Sequence, residues 1–167
     1  MSTIPWVRRI TFTRPANTDI YTVGDAVSDN ATTPTAATFV LTGLSTMTGS
    51  GGIIRSVSLY KSDQDLTAAS FQINFFDTQP AAAGYEDNAA IAITDDEWKR
   101  CVGVVQLLTG THGFTAVTGD VYTRSGLDIP YQYAAGDSPL YVVITAAGTY
   151  TPASGEVFTL TVSGEQF

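Results

Sequence analysis

GIIRSVSLYK, residues 52–61, alternates along its length: Ile53, Val57 and Leu59 share one side with Arg55, and Ser56 and Ser58 take the other. A period of two places successive side chains on opposite faces of an extended chain, so the segment predicts a half-buried β-strand. Outward from it the same rhythm recurs between turn residues. Arg8, Ile10 and Phe12 alternate with Arg9, Thr11 and Thr13, and Phe71, Ile73 and Phe75 alternate with Gln72 and Asn74. Leu140, Val142 and Ile144 form one face of LYVVIT, and Phe158, Leu160 and Val162 one face of VFTLTV. Further strands are expected at 38–44, at 102–108, in a hairpin over 115–123 around Gly119-Asp120, and at 127–131, where Pro130 marks an edge. Eight to ten strands at this spacing predict an all-β protein, a jelly-roll-like antiparallel β-sandwich or a barrel.

Composition agrees. Threonine occurs 25 times and leucine 9 times, and β-branched side chains favour pleated surfaces over helices. One short helix is expected, opening at Thr94-Asp-Asp-Glu97, where Thr94 can cap a free N–H and Glu97 can reach back to the cap. It cannot run far before the apolar VGVVQLL of 102–108. Tyr21-x-x-Gly24-Asp25, echoed by Tyr133-x-x-Gly136-Asp137, reads as a turn into a strand, with glycine at positive φ and aspartate bonding local backbone. The partition is an N-terminal arm and first strand, residues 1–20, followed by a single β-sandwich domain, residues 21–167.

With 167 residues and a single cysteine, Cys101, the chain can bury roughly 70% of its unfolded surface without an internal disulfide. A multi-cysteine zinc site is excluded. No stretch reaches the ~18 apolar residues of a membrane span, and no signal-peptide core follows the N-terminus. A soluble product with no membrane partner is expected. The formal net charge is −8, yet residues 1–14 hold Arg8, Arg9 and Arg14 with no acid, leaving five basic and sixteen acidic residues elsewhere. An acidic body repels phosphate backbones, so no nucleic-acid partner is expected. The arginine-bearing start reads as a solvated edge strand that could touch an acidic neighbour.

No motif for catalysis emerges, and no enzyme is expected. His112 is the one histidine and sits in a turn, with no G-x-S-x-G elbow to supply a nucleophile. Cys101 reads as a core residue at a helix end. The carboxylates Asp63/Asp65, Glu86/Asp87 and Asp95/Asp96/Glu97 lack the spacing of a calcium loop, and the last three have a capping explanation. Gly49-Ser-Gly-Gly52 lacks the lysine and helix of a phosphate loop. Neither cofactor nor metal is expected. Trp6, Tyr60, Tyr85, Trp98, Tyr122, Tyr131, Tyr133 and Tyr150 read chiefly as core and loop anchors.

In order along the chain, YTVGDAVSDN (21–30), GGIIRSVSLYKSDQ (51–64), FQINFFDTQP (71–80), DNAAIAITDDEW (87–98) and LYVVITAAGTYTPASGEVFTLTVS (140–163) resemble small structural proteins of tailed-bacteriophage virions, especially capsid decoration (cement) proteins. The resemblance implies a jelly-roll-like sandwich that forms homo-oligomers, often trimers. It implies a protein made in the host cytoplasm that binds the major capsid protein on the outer surface of the phage head and stabilises the shell. No catalytic residue carries over. Arg8, Arg9 and Arg14 match no family motif; as capsid contacts they are an assignment from charge alone. The alternative expectation is a carbohydrate-binding or receptor-binding β-sandwich module of a phage tail, using Tyr131 and Tyr133.

Overall fold

The computed structural model describes residues 3–44, 51–63, 69–108, 113–116, 119–132 and 139–167. Nine strands are described: β1 (Ile4–Thr13), β2 (Val40–Leu41), β3 (Gly51–Lys61), β4 (Phe71–Phe76), β5 (Cys101–Leu107), β6 (Gly113–Ala116), β7 (Gly119–Gln132), β8 (Leu140–Ala146) and β9 (Val157–Gln166). They form two antiparallel sheets, ordered β1-β9-β3-β7-β6 and β2-β8-β4-β5. The first strand pairs with the last, β2 with β8, β3 with β7 and β4 with β5. This nested pairing is one long hairpin rolled into two layers, the jelly roll. β6 is an addition that hairpins onto the outside of β7. The protein is an all-β sandwich.

Its core lies between the layers. Ile10 and Phe12 of β1, Phe158, Leu160 and Val162 of β9, and Val57 and Leu59 of β3 face Phe71, Ile73 and Phe75 of β4 and Val142 and Ile144 of β8, all buried. Phe12 stacks on Phe158 with ring centroids 5.4 Å apart, and Phe71 meets Phe158 edge-on at 5.7 Å. The two sheets differ on their outer sides. Val143, Asn74, Thr145 and Phe76 are also buried, because the segments near 21–30 and 81–98 lie over that sheet. Ala26 bridges Thr145, Asp25 bridges Ala90, and Trp98 packs on Phe76 at 5.4 Å.

Several local expectations change. In β3 it is Ile54, not Ile53, that is wholly buried with Val57 and Leu59. Against β9 the register slips by one between Ile54 and Ser56, so Arg55 is the extra residue of a β-bulge there, whereas against β7 the surplus lies on β7, where Gly126, Leu127 and Asp128 stand opposite Arg55. The alternation of β3 changes phase at this point. β1 begins at Ile4 and pairs with β9 over ten residues, so residues 4–13 belong to the sandwich and not to an arm. The expected strand over 38–44 shrinks to Val40–Leu41. Ala116 pairs with Gly119 and Thr115 with Asp120, so Gly119-Asp120 open β7 and are not the turn expected there, and the expected strand at 127–131 is the far half of the same β7. The helix α1 (Asp95–Trp98) is a single turn, with the expected capping box in place. Gly24 has φ +93 and Asp25 Oδ2 accepts from Thr22 N at 2.6 Å, as the turn at 21–25 requires. Residues 133–137, with the second copy of that motif, lie outside the described residues.

Candidate functional site

The three N-terminal arginines have three different fates. Strand alternation turns Arg8 inward with Trp6 and Ile10. At the rim its Nε donates to Thr42 O at 2.6 Å and its Nη2 to Gly43 O. Arg9 points the other way and is exposed. Arg14 is 2% exposed and is corrected as a contact residue: a side chain inside the sandwich cannot meet an external partner.

Arg14 is instead the centre of a buried polar node. Its Nε donates to the Tyr21 hydroxyl at 3.0 Å, its Nη1 to Asn17 O at 2.7 Å and Ala153 O at 3.1 Å, and its Nη2 lies 3.4 Å from Asp87 Oδ2. The Tyr21 hydroxyl donates to Asp87 Oδ1 at 2.5 Å, and Ser28 N donates to the same oxygen at 3.0 Å. Burial pushes the Asp87 carboxyl above its usual range, against the opposing pull of Tyr21, Ser28 and Arg14. Burial and the Asp87 charge together push the Tyr21 phenol far up. Burial alone would lower the Arg14 guanidinium, but Tyr21 and Asp87 outweigh it and raise it. A charged triad so fully hydrogen-bonded fixes loops. It ties residues 14–28, 87 and 153 together at one end of the sandwich.

The other candidates are dispersed. Glu97 Oε1 accepts from Ala81 N at 2.7 Å and Oε2 from Thr94 N at 2.8 Å, so this carboxylate is spent on capping. Asp63 is exposed, and Asp65 lies outside the described residues. Among the described residues no group of three His, Cys, Asp or Glu could hold a metal ion. Cys101 is half-buried at the start of β5, not at a helix end, and burial pushes its thiol up. His112, Gly49, Ser50 and Tyr133 lie outside the described residues. Gly51 and Gly52 open β3. Trp6, Tyr85, Tyr122, Tyr131 and Tyr150 are buried. Tyr131 meets Trp6 edge-on at 6.1 Å and its hydroxyl donates to Leu44 O at 3.4 Å, which withdraws it from any surface platform for sugars.

What remains is a surface. Three rows of side chains run across four strands on the outer side of the five-stranded sheet: Arg9, Thr161, Ser58, Thr123; Thr11, Thr159, Tyr60, Val121; and Val7, Ser163, Ser56, Ser125. Twelve positions carry one charge, the cation of Arg9, on a chain whose net charge is −8. Hydroxyls in these rows bond one another: Thr11 with Thr159 at 3.1 Å, Ser56 with Ser163 at 2.6 Å, and Thr123 to Ser58 at 3.2 Å. A hydroxyl already bonded to its neighbour loses less when a partner displaces water from it. This face was missed in the sequence, where the outward serines and threonines read only as the polar side of each strand. The signal was the register, which sequence periodicity does not supply. No protein-family model matches the chain, and it has no match among curated proteins.

Proposed function

We propose that this protein is a structural component of a tailed-phage virion: a homo-oligomeric decoration protein that binds the major capsid protein on the outer surface of the head and stabilises the assembled shell. The observation that carries the reading is the contrast between the two outer faces. One is covered by the molecule's own loops; the other presents three nearly uncharged, mutually bonded rows of hydroxyl and β-branched side chains with Arg9 at their edge. A rigid sheet face of this kind buries a partner with little ordering cost. A protein that binds the assembled shell and not its dissociated subunits stabilises the shell by mass action. Several copies held in one oligomer add avidity. The sequence resemblance points to the same role.

The test is direct. Purified protein is mixed with phage heads that lack it. Co-sedimentation and a raised disruption temperature are expected. Heads that neither bind the protein nor change in stability overturn the reading.

A further inference from the structure

We propose that Arg9 anchors the docking face, its guanidinium closing on a carboxylate of the capsid protein. The inference rests on the capsid reading above and adds to it the anchoring residue and the chemistry of the group it meets.

The chain sets eight lysines and arginines against sixteen acids, so a cation finds an acid easily. All eight cations fall among the described residues. Arg14, Lys61, Lys99 and Arg100 lie on Asp87, Glu156, Asp96 and Asp77. Arg55 is held by Asp128 and Glu165. Arg8 donates to the backbone oxygens of Val7, Thr42 and Gly43, and Arg124 is engaged as well. Among the described residues Arg9 is the one cation with no polar partner.

Register explains why. Alternation along β1 turns Arg9 outward, Thr161 of β9 stands opposite it, and Val7 and Thr11 flank it on its own strand. None of the three is an acid. Glu165, the acid of β9 on that side, pairs with Pro5 further along and is bound to Arg55.

A guanidinium stays charged and presents a planar fork of donors that matches a carboxylate in two parallel bonds. Such a pair is worth little in water and much more once a partner covers it. The surroundings supply the cover. Val7, 50% exposed, lies on one side of Arg9. Thr11 and Thr159, bonded to each other at 3.1 Å, lie on the other. Arginine ringed by groups that need no further partner is a usual centre of binding energy. The bonds of Arg8 to Thr42 O and Gly43 O hold β1 in place, so little ordering is needed on docking. The group opposite must be anionic, because an apolar or cationic surface would strip water from the guanidinium without replacing it. On a protein shell that anion is an aspartate or glutamate.

The full chain is bound to heads that lack it, native or with their surface carboxylates amidated. Arg9→Gln is expected to bind native heads about 30-fold more weakly than the wild type, the low end for removing one partner of a covered charge pair. The gap should narrow as salt rises. Lys99→Gln removes the same charge beside the other sheet and is expected to bind like the wild type. Amidation should weaken the wild type as Arg9→Gln does and leave Arg9→Gln unchanged. Melting temperatures should not move, since Arg9 has no partner within the fold. Heads that bind no chain, wild type included, end the capsid reading and this inference with it. Wild-type binding matched by Arg9→Gln, an equal loss in Lys99→Gln, or a loss in Arg9→Gln that amidation does not reproduce overturns the inference alone.

Discussion

Lys61 Nζ lies 2.7 Å from Glu156 Oε1, and neither side chain touches solvent. Lys61 closes β3 on its inward side, and its ammonium also donates to Asp63 O at 2.5 Å. Removing one partner of such a pair leaves a charge in the interior, which costs about 3–5 kcal/mol, whereas replacing both by apolar groups is often neutral. Lys61→Met is expected to lower the urea-unfolding free energy by about that amount. Lys61→Met with Glu156→Leu is expected to recover most of it. A double variant as unstable as the single one would show that the pair's other contacts, and not charge compensation, hold this corner.

Tyr21 stacks on Tyr150 with ring centroids 4.9 Å apart and planes 4° from parallel. Its hydroxyl joins Arg14 to Asp87. Tyr21→Phe keeps the stack and deletes the hydroxyl, so it isolates the polar bond. Hydrogen bonds to charged groups are worth about 1.5–3 kcal/mol, and a loss in that range is expected in chemical denaturation. Hydrogen exchange should rise first in residues 21–28 and 87–91, the strap over the four-stranded sheet. Unchanged exchange there would detach the node from the strap.

Glu97 sits below its ordinary value of 4.5 because Ala81 N, Thr94 N and the Thr94 hydroxyl donate to its charged form. The folded chain therefore gives up this proton at lower pH than the unfolded chain does. The stabilisation is complete above the ordinary value and is lost as pH falls through the depressed one. Glu97→Gln removes that titration, so its stability should fall less steeply on acidification than the wild type's. Thr94→Ala, measured at neutral pH, is expected to cost about 1 kcal/mol, the usual loss for an N-cap.

The strands and their inward faces were readable because burial against a single core imposes period two on β1, β4, β8 and β9. The Thr94–Glu97 cap was readable because both halves of the device lie within four residues. What was not readable depends on contacts distant in sequence. The bulge at Arg55 exists only relative to β9, and so Ile53 took the place of Ile54. Arg14 reads as a surface cation until Asp87 and Tyr21 are brought to it across 73 and 7 residues. Gly164 gives no local sign of its role, yet a Cβ there would collide with Ile53 O and the Trp6 ring. The candidate face is of the same kind, since only register sets Arg9, Thr161, Ser58 and Thr123 in one row.

Leu160 and Thr161 are neighbours in β9 that point to opposite sides, and this separates fold from surface. Leu160 is wholly buried. Leu160→Ala removes core contacts and is expected to cost about 2–5 kcal/mol in denaturant unfolding. Thr161 lies between Arg9 and Ser58 on the outer face. Thr161→Lys sets a second cation beside Arg9 among twelve positions that hold no other charge, and surface changes usually alter stability by less than about 0.5 kcal/mol. If that face docks on the capsid, a lysine at its centre must be desolvated without a designed partner, so head co-sedimentation should be lost while the melting temperature is kept. Leu160→Ala should show the reverse below its melting temperature: weaker folding with head binding retained. Full head binding by Thr161→Lys would move the docking surface away from this sheet, because a row in contact with the shell has no room for that charge.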